Sequence, residues 1–210
     1  MDWKQYFEMM KDWKQLPAYR AEPRIDSFIG FYLPEILTDY YCDKIRGIIP
    51  ELPIRLGTVK PRYENKNFAD RSYKVDFYLL GDSGNHYFVE FKTDSGSRRE
   101  KQDEYLKEAE LIGMKEIVAG IARIASVSSY KKKYNHLILK MVDLGLMNSD
   151  RQFVHNSNKI QIVYVQPHKN CNDAAAVIGF EWISQWLVQK LGKNDFGKQF
   201  ADALMHWAKD

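Results

Sequence analysis

Tyr73-Lys74-Val75-Asp76-Phe77-Tyr78-Leu79-Leu80-Gly81-Asp82-Ser83-Gly84-Asn85-His86-Tyr87-Phe88-Val89-Glu90-Phe91-Lys92 is the stretch that decides the fold. Two runs rich in Val, Phe, Tyr and Leu flank Gly81-Asp82-Ser83-Gly84-Asn85, a composition that marks a turn. The stretch reads as a β-hairpin with strands over 72–80 and 86–93. A hairpin centred near Ser83 puts Asp76 opposite Glu90, because both lie equally far from the centre. Opposed carboxylates on a sheet repel one another, so a cation is expected between them. Lys92 follows Glu90 by two residues, and strand alternation sets both on one face. Val75, Phe77 and Leu79 line one face of the first strand, and Asp76, Tyr78 and Leu80 the other. Phe88 shares the face of Glu90 and Lys92. The acids thus lie among apolar neighbours, where a charge needs a partner or an ion.

Outward from the hairpin, the pattern is helical on both sides. Trp3, Phe7, Met10 and Trp13 recur at helical spacing, so a helix is expected over 2–15, ended by Pro17. Its apolar stripe packs on the parent domain or serves a homodimer contact. Residues 18–26 read as a charged connector. A helix follows over 27–46, with Pro34 and Glu35 in a first turn after a short bend. Pro50 and Pro53 break that pattern, and a further strand is expected over 53–63. After the hairpin come helices at 98–112, around 117–125 and around 137–144. Lys159 to Val165 reads as a buried strand and 176–180 as a short one. Helices at 181–191 and 196–208 close the chain. The order predicts mixed α/β structure around one sheet.

With 210 residues, 45% hydrophobic and 28% charged, the chain is expected to form a single domain over 1–210. Its parts are an N-terminal helical extension (1–26), a core (27–166) and a C-terminal strand with helices (167–210). The net charge of +3 permits a nucleic-acid partner without requiring one. Cys42 and Cys171 imply neither a disulfide framework nor a zinc site. The five histidines lack ligand spacing. Met1-Asp2-Trp3-Lys4 is charged from its second residue and so unlike a signal peptide. No apolar run approaches the about 18 residues that span a membrane. A cytoplasmic setting is the expectation.

Two carboxylates beside an ammonium group suit metal-dependent phosphodiester hydrolysis. Mg²⁺ or Mn²⁺ prefers oxygen ligands and keeps several waters, so two or three carboxylates suffice. Such an ion polarises a phosphoryl oxygen and lowers the pKa of a bound water. Lys92 would orient that water or stabilise the charge developing on phosphorus. The plainer alternative is a salt bridge from Lys92 to Glu90 or Asp94. Gln102 and Tyr105 lie three apart on the next helix and share a face. Arg98, Arg99 and Lys101, just before them, suit phosphate contacts and equally suit a solvated helix start. Lys131-Lys132-Lys133 reads as a solvated run or a contact to a nucleic-acid backbone.

At these residues the sequence resembles the PD-(D/E)xK, or restriction-endonuclease-like, phosphodiesterase superfamily. The matching elements are Asp76 on one strand, Glu90-Phe91-Lys92 on the next, then Gln102 and Tyr105 on the following helix. That last pair is similar to a glutamine–tyrosine motif of several nuclease branches. The resemblance covers about two-thirds of the chain. It implies an α/β, restriction-endonuclease-like core of helix, three-stranded antiparallel meander, helix and strand, with extra N- and C-terminal helices. It further implies a metal held by Asp76, Glu90 and the Phe91 carbonyl, with Lys92, Gln102 and Tyr105 in the catalytic set. The family often adds a glutamate from the first core helix, for which Glu35 is the first choice and Glu51 and Glu64 the next. Val75, not proline, precedes Asp76, which lowers the specificity of the match. The expected function is a Mg²⁺- or Mn²⁺-dependent nuclease acting on DNA. The alternative is a nuclease-like fold serving as a nucleic-acid-binding or protein-interaction module, and a scaffold assembled through the terminal aromatic helices comes third.

Overall fold

A computed structural model describes residues 2–14, 22–61, 71–94, 100–169 and 176–209. Among them, seven helices and five strands form a mixed α/β fold. In chain order these are α1 (Trp3–Lys14), α2 (Glu22–Tyr41), β1 (Ile45–Arg55), α3 (Leu56–Val59), β2 (Ser72–Gly81) and β3 (His86–Phe91). Then follow α4 (Glu100–Val127), α5 (Lys131–Asp143), β4 (Ile160–Gln166), β5 (Ala176–Gly179), α6 (Phe180–Leu191) and α7 (Asp195–Trp207). The sheet order is β1-β2-β3-β4-β5. β1, β2 and β3 form the antiparallel meander expected from the sequence, and β4 and β5 are parallel.

The hairpin register is the one centred on Ser83. Phe77 pairs with Val89, Tyr78 with Phe88, Leu79 with Tyr87 and Leu80 with His86. Every residue of β3 is buried, so both of its faces are covered, including the one that carries His86 and Glu90. The turn is held from outside by Asp43, whose carboxylate accepts from the Ser83 amide at 2.9 Å, from the Ser83 hydroxyl and from Tyr87 Oη at 2.8 Å. Burial pushes the Asp43 carboxyl up, but these bonds outweigh it and hold its pKa below the ordinary value.

Three elements depart from the sequence reading. α2 is one continuous helix from Glu22 with Pro34 in its interior, where a bend had been expected. Proline's ring presses on the carbonyl four residues back, and Gly30 stands there. β1 begins at Ile45 and runs through Pro50 and Pro53, which pair with Phe77 and Lys74. Prolines are tolerated because β1 is an edge strand, where part of the backbone has no ladder to serve. The strand expected to reach residue 63 ends at Arg55, and a helical turn, α3, follows. That turn lies against Gly120 of α4, where a Cβ would stand 2.6 Å from Thr58 Oγ1.

The fold divides into two compact units. Unit 1 comprises Met1–Ile36, Glu90–Arg98 and Val163–Asp210, and unit 2 comprises Leu37–Val89 and Arg99–Ile162. The core of unit 1 is aromatic. Phe7 of α1 stacks on Phe200 of α7 at 5.4 Å, and Phe28 and Phe196 meet edge to face at 5.1 Å. The stripe on α1 therefore packs on its own unit, with Phe7 and Met10 almost wholly buried. In unit 2, α4 is interrupted at Gly113, whose φ of 80° and ψ of 170° are not helical. Asn158 restarts the helix: its carbonyl accepts from the Met114 amide at 3.1 Å and its Oδ1 from the Lys115 amide at 2.6 Å. A Cβ at Gly113 would run into the Asn158 side chain.

His86 ties the hairpin to the segment before β4. Its Nε2 meets the Ser157 carbonyl at 2.8 Å, and a carbonyl only accepts, so Nε2 carries the hydrogen. Nδ1 is then an acceptor, and the buried Tyr78 hydroxyl donates to it at 2.9 Å. Burial pushes the His86 pKa down from 6.5 to about 4; the bond to Ser157 opposes this and the nearby His155 ring reinforces it. Above pH 6.5 the ring is neutral folded or unfolded. Between pH 6.5 and about 4 only the unfolded chain takes up the proton, so stability falls with pH through that window. The loss is on the order of 3 kcal/mol by pH 4. Urea unfolding at pH 7 and pH 4 is expected to show it, and His86→Gln is expected to lose that part of the pH dependence.

Candidate functional site

Glu90 and Lys92 stand at the end of β3 in unit 1. Glu90 has no exposed surface and Lys92 is 4% exposed. Their sharing of one face follows from strand alternation, and the Lys92 amide donates to the Val165 carbonyl of β4 at 2.8 Å, which fixes the backbone there. Lys92 Nζ donates to the Phe91 carbonyl at 2.9 Å and to Glu90 Oε2 at 3.2 Å. It also lies 3.7 Å from Glu22 Oε1, at the first turn of α2. A buried carboxylate is costly without a cation, and here the ammonium answers it.

Glu90 Oε2, the Phe91 carbonyl and Glu22 Oε1 are thus among the oxygens that face this cationic nitrogen. The Phe91 carbonyl, expected as a metal ligand, accepts from the lysine. Oxygen-only donors are the set that a hard divalent ion takes, so Glu22, Glu90 and the Phe91 carbonyl fit Mg²⁺ or Mn²⁺ in kind. Among the described residues, however, no group of three or more acidic, histidine or cysteine side chains is assembled to hold a metal.

Glu22 is the residue that sequence reasoning missed. It lay in the stretch read as a connector, although Glu22-Pro23 is a helix-start signal and Ile25, Ile29 and Leu33, all buried, repeat at four-residue spacing behind it. Glu35, the expected third carboxylate, is exposed and lies about 20 Å further along α2 at the α-helical rise. Glu51 is exposed, and its Oε2 pairs with Lys74 at 2.8 Å. Glu64, Arg98 and Arg99 lie outside the described residues. Lys101 is exposed in the first turn of α4.

Within unit 2, Asp76 is half-buried on β2 and Gln102 half-buried on α4. Tyr105 is 5% exposed and holds α4 to β2: its ring lies parallel to that of Tyr73, 4.2 Å between centroids, and its hydroxyl donates to the Lys74 carbonyl at 2.9 Å. This is a packing role. A polar cavity of about 400 Å³ opens beside the hairpin turn, lined by Arg46, Asp82, Gly84, His155 and Asn156 among others, and none of the residues singled out from the sequence as catalytic or metal-binding lines it. Its arginine is already paired, with Arg46 Nε 2.6 Å from Asp82 Oδ1.

Removing one partner of a buried ion pair strands the other. Lys92→Met is therefore expected to lower stability by about 3–5 kcal/mol, and Lys92→Met with Glu90→Gln to recover most of it, as measured by urea denaturation of the two variants. Tyr105→Phe keeps the stack and loses one hydrogen bond, at an expected cost of about 1 kcal/mol in the same assay. No family model, curated protein or solved structure matches this chain.

Proposed function

We propose that this protein is a divalent-metal-dependent nuclease that hydrolyses phosphodiester bonds of DNA. The observation that carries the reading is the buried Glu90–Lys92 pair at a strand end, with Glu22 of the first long helix 3.7 Å from the same ammonium. Asp76 enters from the sequence, through the register about Ser83 that pairs Phe77 with Val89. In this reading Glu90, Glu22 and the Phe91 carbonyl would hold Mg²⁺ or Mn²⁺, which would polarise a phosphoryl oxygen and acidify a bound water, and Asp76 keeps the metal-ligand role that the sequence resemblance implies. Lys92 turns from Glu90 to a phosphoryl oxygen and stabilises the charge that develops there. Glu90, released by the lysine, is then an oxygen donor in a water-poor setting, where electrostatic interactions are strong. Gln102 positions the substrate, and Tyr105 keeps α4 in place.

A second reading has its own observation. Lys92 Nζ is bonded to the very carbonyl and carboxylate that would serve an ion, and no three-acid group stands among the described residues. An ammonium in that position supports a nuclease-like fold that binds nucleic acid or protein without cleaving. Incubating the protein with single- and double-stranded DNA and RNA, in Mg²⁺, Mn²⁺ or EDTA, separates the two. The nuclease reading expects cleavage with Mg²⁺ or Mn²⁺, none in EDTA, and a loss of about 10²-fold or more for Asp76→Asn and Glu90→Gln, on the order of one catalytic group. Cleavage that persists in EDTA or in Asp76→Asn would overturn it, and binding without cleavage would favour the second reading.

A further inference from the structure

We infer that α5 and the turn before it, within unit 2, form a docking face for the phosphate backbone of a nucleic acid. The inference rests on the nucleic-acid part of the proposed function and not on cleavage. Between Glu116 and Asp143 the chain has no acidic residue, yet it carries Arg123, Lys131, Lys132, Lys133 and Lys140. Those charges outnumber the +3 net charge of the whole chain, so basic charge is concentrated here rather than spread. Lys132, His136 and Lys140 recur at four-residue spacing on the exposed side of α5, with Asn135 and Leu139 between them.

These lysines differ from others in the protein. Lys11, Lys60 and Lys74 each meet a glutamate within 2.9 Å, whereas Lys132, Lys133 and Lys140 make no ion pair among the described residues. Nor do Lys132 and Lys133 serve the helix they stand on. They occupy its first turn, where the backbone dipole disfavours cations, no acidic residue offsets them, and Tyr130 before them makes no side-chain cap. Lys131 is used differently. Its Nζ donates to the Ser126 carbonyl at 2.6 Å and the Ala125 carbonyl at 3.3 Å, which closes the end of α4 and sets the turn. The turn presents Tyr130, 66% exposed, with Lys133 Nζ 5.8 Å from its ring centroid.

Point charges without an acidic partner, in a row beside an exposed aromatic ring, match a phosphate backbone with an adjacent base to stack. A lipid surface would need an apolar stripe, and Leu139 is the one large apolar side chain that α5 exposes among the described residues. An acidic protein partner would require no aromatic platform.

Fluorescence anisotropy with labelled single- and double-stranded DNA, in EDTA and across a salt series, tests the face without any cleavage. Lys132→Ala/Lys133→Ala is expected to weaken binding at least about tenfold and to reduce the slope of log K against log salt by roughly 1.5 to 2. Lys193→Ala, an exposed lysine in the turn after α6, is expected to leave both unchanged. Equal binding by the double variant and the parent, an equal loss in Lys193→Ala, or no binding by the parent would overturn the proposal, as would tighter binding to anionic vesicles than to DNA. Salt-sensitive binding that depends on Lys132 and Lys133 in a protein that never cleaves would sink the nuclease reading and support this face.

Discussion

A carboxylate without exposed surface must be answered by a cation, and in this chain the cation lies two residues along the same strand. That constraint explains the local arrangement better than any propensity does. The pleat places Glu90 and Lys92 on one side, the amide of Lys92 is spoken for by Val165, and the ammonium has the Phe91 carbonyl as its second acceptor. Glu22 adds a further carboxylate oxygen from the start of α2. Were the lysine at 91 or 93, alternation would send it to the opposite face and the acid would be stranded.

The sequence made the hairpin legible because two independent signals agreed on it: a period of two in the strands and a Gly-Asp-Ser-Gly turn that fixes the centre. β4, β5, α6 and α7 were legible for the same reason, each being a strong periodic run between breakers. β1 was not, because Pro50 and Pro53 argue against a strand everywhere except at an edge, and edge position is a property of the sheet rather than of the segment. α2 lost its first turn to the charged appearance of residues 18–26, and Glu22 was lost with it. Glu35 is the choice that the resemblance implies for a first core helix read as opening at Pro34, whereas that helix opens at Glu22 and runs through Pro34. Tyr105 reads as facing the hairpin from its spacing, but only tertiary structure assigns its hydroxyl to the Lys74 carbonyl.

The terminal helices illustrate the opposite case, a pattern whose partner could not be read. The stripe of α1 fits either its own protein or another copy on periodicity alone. Phe7, Phe28, Phe196 and Phe200 meet one another within unit 1, so these rings of α1, α2 and α7 pack together, while Trp13 of the same stripe stays exposed. Aromatic edges and faces at these distances add a modest geometric preference to the area they bury.

The break at Gly113 has a consequence for how this protein can change. In an unbroken helix, one inserted residue turns everything beyond it by about 100° and would swing a functional side chain off its face. At Gly113 the winding stops, and Asn158 sets the starting angle of the second rod afresh. The half of α4 that carries Tyr105 and the half that leads to the basic turn are therefore out of phase by construction. A length change in one leaves the angular setting of the other untouched, so two surfaces on what looks like a single helix are able to drift independently.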